Sequence, residues 1–242
     1  MLIDTTFDFR SDAGGGDPDS TSPTLRRYHR LLWSKPLPGG AMFDLVDTTP
    51  FSYLHHKSEV GEFWLASDAV IATFQSSRAA SAVIDQLPAA ELEEFQRVGY
   101  RIGGMMVFPG DRREGKMTIN GARGFHPRIA DRFDLTLECI RRHYRGEESP
   151  LGTALTRYGD FFARFHDFRG YVEFFLLQDL VAVDYSVVRF FTPFAEFRSR
   201  PVPTDLDDYL EFKRSSLMFV EARNRRIAAW AAERLSPTKA GE

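Results

Sequence analysis

The fold class follows from residues 100–145, which read YRIGGMMVFPGDRREGKMTINGARGFHPRIADRFDLTLECIRRHYR. The apolar run at 100–108 predicts a buried strand, and 116–120 the returning strand of a hairpin. Across 127–145 the apolar residues recur at helical spacing, which predicts a helix. The stretch thus changes from a strand pattern to a helix pattern, with a Gly-Ala-Arg-Gly loop at 121–124 between them.

The residues before this stretch continue the strand pattern. Short apolar runs at 42–46, 52–55 and 62–66 alternate with Pro, Gly and Asp, as is typical of strands. Ahead of them, Ser22-Pro23 is an N-cap followed by proline at the first helical position, which predicts a helix over 23–34. The residues before this cap form an extended or loop segment, 1–22.

The residues after the stretch are mostly helical. An apolar helix is expected at 168–183 and a short strand at 187–191, and Thr204 is expected to cap a long final helix ending near Leu235. The sequence therefore predicts an α+β fold with a small, mainly antiparallel sheet from the first half packed against a helical layer from the second. We expect a single domain over 1–235 and a flexible tail at 236–242.

Composition excludes several classes of protein. The chain has 242 residues and a net charge of −3, which argues against a general polyanion-binding domain. Its one cysteine, Cys139, cannot form a disulfide within the chain. Neither a signal peptide nor a membrane span is recognisable, so a cytoplasmic protein without a membrane partner is expected. The 22 phenylalanines predict a large aromatic core.

The most informative polar residues lie around the expected strand-loop-helix junction. Residues 121–145 carry six arginines against three acidic residues. Free N–H groups at a helix start attract anions, and arginine clamps phosphate or carboxylate with two hydrogen bonds. Asn120 could orient the ligand, and an acidic residue could act as a base or hold an arginine. The candidate ligand-binding residues are Asn120, Arg123, Arg128, Asp131, Arg132, Glu138 and Arg142.

The same block has a purely structural alternative. Asp134, Glu138 and Arg142 are spaced i, i+4, i+8, which is the pattern of an ion-pair ladder on a helix. The chain contains neither the Gly-x-x-x-x-Gly-Lys-Ser/Thr nor the Gly-x-Gly-x-x-Gly phosphate-binding motif. No motif in it specifies a cofactor or a set of catalytic residues.

The N-terminal segment contains four aspartates that could hold a divalent metal: Asp8, Asp12, Asp17 and Asp19. Their order lacks the Asp-x-Asp-x-Asp-Gly pattern of a calcium loop, and no histidine pair has zinc-hydrolase spacing, so no metal site is assigned. If the segment folds back over residues 120–142, the two polar stretches would form one site.

Two stretches together carry a family resemblance. The first runs from Phe7-Asp8-Phe9-Arg10 through Asp17-Pro18-Asp19-Ser20 to Leu32-Trp33-Ser34-Lys35-Pro36-Leu37-Pro38. The second is Asn120-Gly121-Ala122-Arg123-Gly124 with the segment 131–142. From about residue 4 to 230 the chain resembles a bacterial and phage-associated family known as a domain of unknown function. The resemblance implies no activity, cofactor or partner.

Three functions are therefore compatible with the sequence. The first is binding of a phosphate-bearing or other anionic ligand, a nucleotide or nucleic acid, at 120–142; Arg123→Ala would then abolish binding and leave the melting temperature unchanged. The second is a non-enzymatic interaction or assembly module, in which the block is a buried ion-pair network. The third is a metal-dependent hydrolase or nuclease that uses Asp17 and Asp19.

Overall fold

The structure is a computed structural model that describes residues 3–47 and 54–235. The expected tail at 236–242 and the first residues of the strand expected at 52–55 lie outside these ranges. The helices and strands follow in the order α1 Pro18–Thr21, α2 Pro23–Trp33, β1 Lys35–Pro36, β2 Met42–Phe43, β3 Val46–Asp47, β4 Leu54–Ser58, β5 Gly61–Ala69, α3 Ser81–Ile84, α4 Ala89–Gly99, β6 Met105–Pro109, α5 Ile119–Phe125, α6 Phe133–Tyr144, α7 Gly152–Thr156, α8 Gly159–Phe162, α9 Phe168–Phe174 and α10 Leu206–Arg234. Short 3₁₀ turns lie at Phe9–Asp12, Ile102–Gly104, Ala163–Phe165 and Gln178–Leu180.

The strands of the described chain form one four-stranded antiparallel sheet in the order β3-β4-β5-β6 and one two-stranded pair, β1-β2. Strand β5 lies in the interior of the larger sheet, where Leu65 is opposite Leu54 of β4 and Pro109 of β6. Every described strand lies before residue 110, and the helices α5 to α10 follow. The expected α+β fold is confirmed.

The expected hairpin over 100–120 is wrong. Strand β6 pairs with β5 instead of with residues 116–120. The side chain of Thr118 accepts a hydrogen bond from the backbone N–H of Gly121 at 3.3 Å and so caps α5. A threonine N-cap satisfies one of the N–H groups that a helix start leaves free. Residues 121–124, expected as a loop, are therefore helical.

The helix expected at 127–145 begins later, at Phe133. Two residues before it have positive φ, with +48° at Ala130 and +64° at Asp131. The carbonyl of His126 accepts hydrogen bonds from the N–H groups of Ile129 and Ala130, which closes a tight turn instead of a helix. We call residues 126–132 the connecting turn.

The later elements also differ from expectation. Helix α9 ends at Phe174, and Leu176 has a φ of +54°, so the helix expected over 168–183 is interrupted. The strand expected at 187–191 is a single bridge between Val181 and Val188. The N-cap of α10 is Asp205, not Thr204, because the Asp205 carboxylate accepts from the backbone N–H of Asp208 at 2.9 Å.

An aromatic cluster forms the centre of the helical layer, as the phenylalanine count predicts. The rings of Phe161 and Phe165 lie 5.2 Å apart, and those of Tyr171 and Phe175 lie 4.9 Å apart. Offset and edge-to-face ring pairs of this kind add to the free energy gained by burying the rings. The single thiol, Cys139, is buried beside this layer, and burial raises its pKa to about 12.

Helix α10 packs against the start of β6 through a buried arginine. The guanidinium of Arg223 donates to the carbonyls of Gly103, Met105 and Phe175 at 2.8–3.1 Å. The amide oxygen of Asn224 accepts from the N–H of Gly103 at 2.7 Å. These bonds require α10 to approach the backbone at residues 103–105 closely.

None of the helices in the described ranges combines the length and the apolar composition that crossing a membrane requires.

We predict that Gly103→Ala lowers the free energy of unfolding. A Cβ atom there would lie 2.4 Å from the carbonyl oxygen of Val220 and 2.7 Å from the amide oxygen of Asn224. Overpacking of this kind costs about 1–3 kcal/mol. Gly121→Ala is the control, because its Cβ would make an ordinary 3.4 Å contact with Met117. Urea denaturation measures both, and an equal effect of the two substitutions would contradict the packing described for α10.

Lys35 has a strongly apolar environment. Its Nζ lies 4.6–5.0 Å from the ring centroids of Trp33, Phe174 and Trp230, and donates to the carbonyl of Phe174 at 2.5 Å. Burial lowers the pKa of Lys35 to about 7, and the charges of Arg234 and Arg223 act in the same direction.

This pKa gives a pH dependence with a defined sign. Between pH 7 and 9 the unfolded chain binds more protons at Lys35 than the folded chain does, so wild-type stability rises with pH relative to Lys35→Met. Denaturation of both proteins at several pH values in this window measures the difference. A constant difference between them would show that the lysine is not desolvated in the folded protein.

Candidate functional site with an acidic site and an arginine cleft

The buried guanidinium of Arg123 connects β5, α5 and the start of α6. The Arg123 side chain has no exposed surface. Its Nη1 donates to the Asp68 carboxylate at 2.5 Å and to the carbonyl of Ala69 at 3.2 Å. Its Nη2 donates to the carbonyl of Asp131 at 2.7 Å, and its Nε donates to the hydroxyl of Thr136 at 3.3 Å. The Nη1 atom also lies 3.1 Å from the Asp131 carboxylate, with which it forms an ion pair. The arginine is therefore fully engaged within the protein.

The connecting turn is shaped around this arginine. The backbone N–H of Asp131 donates to the carbonyl of Arg123 at 3.1 Å. Because the carbonyl of Asp131 also accepts from the Arg123 side chain, both backbone polar groups of Asp131 bind one residue. Positive φ at Ala130 and Asp131 is unfavourable for residues with a side chain, by roughly 1–3 kcal/mol each. The contacts of Arg123 hold Asp131 in that conformation, and the carbonyl of His126 binds the N–H of Ala130.

Asp19 joins this group from the N-terminal segment. Burial, the nearby charge of Asp68 and that of Asp17 raise the pKa of Asp19 well above its usual value. Burial likewise raises the pKa of Asp68, to about 6, although the guanidinium of Arg123 opposes the shift. The charge of Asp68 acts on Asp19, and helix α1 packs against β5, so the two carboxylates lie near each other at the end of β5. The N-terminal segment therefore reaches the strand whose Asp68 binds Arg123.

We call Asp19, Asp68 and Asp131 the acidic site, and Asn120 binds strand β5 at the residue before Asp68. The side-chain N–H of Asn120 donates to the carbonyl of Ser67 at 3.3 Å. The Asn120 Oδ1 and the Asp19 Oδ1 are both buried without a hydrogen-bond partner in the described chain. Perturbed carboxylates in a partly open site are typical of functional sites.

The contact between Ser67 and His29 does not have the geometry of a nucleophilic serine with its general base. His29 is buried, and its Nδ1 accepts from the indole N–H of Trp33 at 3.0 Å, so its Nε2 carries the hydrogen. That Nε2–H donates to the hydroxyl of Ser67 at 3.0 Å and cannot remove its proton. Burial, with the charges of Arg223 and Arg26, lowers the pKa of His29 to about 3.

The other N-terminal aspartates have structural roles. Asp8 and Asp17 are N-cap residues, and the Asp12 carboxylate accepts from the hydroxyl of Ser22 at 2.5 Å. Across residues 3–47 and 54–235 no group of three or more His, Cys, Asp or Glu is arranged to hold a metal ion.

A second site lies on the other side of the connecting turn. It is a cleft of about 370 Å³ between the start of α6, the segment 192–204 and the start of α10. We call it the arginine cleft. Its lining includes Arg128, Arg132, Thr192, Phe194, Arg200, Val202, Thr204, Asp208 and Phe212.

The three arginines of this cleft differ in their partners. Arg132 is buried; its Nε and Nη2 bind the buried Asp134 carboxylate at 3.1 and 2.5 Å, and its Nη1 donates to the hydroxyl of Thr192 at 2.6 Å. Arg128 and Arg200 are exposed, and their guanidinium groups form no ion pair with any described residue. Two unneutralised cations therefore line one cleft.

Glu138 and Arg142 belong to neither site. The Glu138 carboxylate accepts from the Nε groups of Arg141 and Arg142, each at 2.7 Å, and Arg142 continues to Glu196. Burial opposes ionisation of Glu138, yet the hydrogen bonds from the two arginines hold its pKa below its usual value. The expected i, i+4 ion pair between Glu138 and Arg142 is present on α6. Asp134, which was expected in the same ladder, pairs with Arg132 instead.

The seven candidate residues thus separate into three groups. Arg123 and Asp131 form an ion pair at the acidic site, where Arg123 is buried and does not face a ligand, and Asn120 binds the carbonyl of Ser67 in β5. Arg128 and Arg132 line the arginine cleft, and Glu138 and Arg142 form the network on α6. Sequence reasoning missed Asp68 and Arg200. Of these two residues only Arg200 has a sequence signal, the density of arginine at 198–200.

A protein-family model agrees with the motif resemblance. The model describes a family of unknown function, DUF6994, and matches residues 3–227. The chain belongs to the DUF6994 family. The match includes every residue of the acidic site and all three arginines of the arginine cleft. No curated protein and no solved structure matches the chain.

We predict that Arg123→Ala destabilises the protein, in contrast to the expectation for a ligand-binding arginine. The substitution leaves Asp68 and several carbonyls without their donor, and loss of one partner of a buried ion pair costs roughly 3–5 kcal/mol. Arg128→Ala is the matched control and should change stability by less than about 0.5 kcal/mol, as is usual for surface positions. Chemical denaturation measures both. Wild-type stability of Arg123→Ala would show that the guanidinium is not a structural cross-link.

Proposed function

We propose that the protein binds a small phosphate-bearing or other anionic ligand, such as a nucleotide, in the arginine cleft. The observation that carries the proposal is the pair of exposed arginines, Arg128 and Arg200, which line one cleft without an acidic partner in the described residues. The anion-binding hypothesis from the sequence is kept, and its location changes. The cytoplasm, where nucleotides are abundant and a lone thiol such as Cys139 stays reduced, belongs to the same proposal.

Further positive charge at the cleft comes from α6. This helix begins beside the cleft after Arg132, and no side chain caps its first N–H groups. Uncapped N–H groups and the helix dipole favour a negative ligand.

The cleft also contains one negative charge, the carboxylate of Asp208, which accepts from the hydroxyl of Thr204 at 2.8 Å. The arginines therefore outnumber the carboxylate in the lining.

The size and the walls of the cleft favour a ligand with an apolar part. A volume of about 370 Å³ lies within the usual range for small-molecule sites, ~300–1,000 Å³. The partly exposed ring of Phe194 contributes aromatic surface, Phe212 forms the buried base of the wall, and prolines 193, 201 and 203 make the wall rigid. A flat group against these rings with a phosphate between the arginines would satisfy both parts of the lining.

Two other hypotheses from the sequence are affected differently. The interaction-module hypothesis gains one observation, because Phe125 at the end of α5 is 81% exposed and Met117 beside this helix is 50% exposed. The metal-dependent hydrolase gains none, since Asp17 caps α1 and no three metal-binding side chains of the described residues converge.

We predict that Arg128→Ala and Arg200→Ala each weaken binding of AMP roughly 10- to 100-fold, which is the range for a lost charged hydrogen bond. Isothermal titration calorimetry with AMP and with inorganic phosphate as probes measures the effect, and AMP should bind more tightly because it also contacts the aromatic wall. Arg225→Ala, at an exposed arginine of α10 away from the cleft, is the control and should bind as the wild type does.

Two results would contradict the proposed function. The first is an absence of binding of either probe at millimolar concentration. The second is an equal loss of affinity in the cleft variants and in Arg225→Ala, which would indicate only a diffuse electrostatic attraction.

A further inference from the structure

The aromatic wall of the arginine cleft belongs to a larger cluster of rings. Phe194 lines the cleft, is partly exposed, and stacks on Phe190 with 4.2 Å between the ring centroids. Phe197, which also lines the cleft, packs against Phe194 at 4.8 Å with an angle of 80° between the ring planes. Phe190 is not a lining residue, so it supports Phe194 from behind the wall. Two other rings therefore hold the ring that a ligand in the cleft would meet.

Arg142 of α6 contacts this cluster, although it does not line the cleft itself. Its guanidinium carbon lies 5.9 Å from the ring centroid of Phe194 and 5.1 Å from that of Phe197. Its Nη2 donates to the carboxylate of Glu196, which lies between these two residues in the sequence. Two cation–π contacts and one charged hydrogen bond thus join a single arginine to the wall of the cleft.

The backbone of the wall has an unfavourable conformation at the residues that Arg142 contacts. The φ angle is +51° at Glu196 and +57° at Phe197. Residues with a side chain keep such a conformation only where the surrounding structure holds it. Arg142 contacts both residues, and it is itself oriented by the buried carboxylate of Glu138, which accepts from its Nε at 2.7 Å. Helix α6 therefore holds the wall in place through this arginine.

We propose that Arg142 is a positioning residue that holds Phe194 in place for the base of a nucleotide, so that the cleft selects nucleotides over phosphate-bearing ligands without an aromatic ring. This inference rests on the proposed function, in which Arg128 and Arg200 bind the phosphate. Every base has a π-face that can stack on an aromatic side chain. The selection is therefore for the presence of a base.

The test compares AMP with ribose 5-phosphate, which has the phosphate and the sugar of AMP but no base. Isothermal titration calorimetry of the full-length protein measures both affinities. The wild type should bind AMP about tenfold or more tightly than ribose 5-phosphate, within the range for stacking of one base. Phe194→Leu keeps an apolar side chain and removes the ring, so it should make the two affinities nearly equal. Phe125→Leu, at an exposed phenylalanine outside the cleft, should keep the wild-type ratio.

Two further variants test the role of Arg142. Arg142→Ala removes all its side-chain contacts with the wall, and Glu196→Ala removes the ion pair at a side chain that is 55% exposed, where folding does not depend on it. Each should lower the affinity for AMP about threefold or more, as expected for the loss of contacts of this strength. The affinity for ribose 5-phosphate should stay nearly unchanged, because this ligand does not use the ring. A loss of folding would instead lower both affinities together.

Arg141→Ala is the matched control for Arg142→Ala. Arg141 neighbours Arg142 on α6 and binds the same carboxylate of Glu138, but its other ion pair is with Glu147 and not with the wall of the cleft. Arg141→Ala should therefore keep the wild-type ratio of the two affinities.

Three outcomes would overturn the proposal. These are equal affinities of the wild type for AMP and ribose 5-phosphate, a wild-type ratio in both Arg142→Ala and Glu196→Ala, and the same fall of the ratio in Arg141→Ala as in Arg142→Ala. Each of them leaves the proposed function intact, because the phosphate is still bound. Binding of neither ligand would contradict the proposed function and this proposal with it, so the two failures are distinguishable.

Discussion

A buried guanidinium is costly unless most of its N–H groups find acceptors, and Arg123 finds them on three elements. Water cannot reach the side chain, so the acceptors are Asp68 of β5, the connecting turn at Asp131 and the hydroxyl of Thr136 in α6. Strand β5 is far in the sequence from Arg123, the connecting turn and α6, which follow one another along the chain. The arginine joins these elements, and the acidic site is built from its partners.

The connecting turn makes two sites of opposite charge possible within a short distance along the chain. Asp131 faces Arg123 and belongs to the acidic site, whereas Arg128 and Arg132 line the arginine cleft. Consecutive residues point in different directions because Ala130 and Asp131 adopt positive φ instead of continuing into α6. The unfavourable backbone conformation is thus linked to the separation of charge, and local strain of this kind is common at functional sites.

The sequence predicted what depends on local patterns. The Ser22-Pro23 signal located α2, and apolar spacing identified the inner face of α6. Thr118 is also a good N-cap residue and so favours a helix at α5, whereas the Gly-Ala-Arg-Gly residues after it favour a loop.

The remaining features depend on contacts between distant residues, which no local pattern reveals. An arginine between glycines is typical of an exposed loop, and only its pairing with Asp68, across from it in β5, explains its burial. Asp19 acquires its shifted pKa in the same way, through a carboxylate far along the chain. The segment 192–204 has little regular secondary structure, so its position beside α6 could not be predicted either.

A double-mutant cycle on Arg123 and Asp68 tests most directly whether this buried ion pair sets the arrangement of β5 and α5. The free energies of unfolding of Arg123→Met, Asp68→Asn and the double variant give the coupling energy between the two side chains. We predict a coupling of about 2–3 kcal/mol, at the upper end for residues in contact. Additive effects of the two substitutions would contradict the account, because they would show that β5 and α5 hold their positions without the pair.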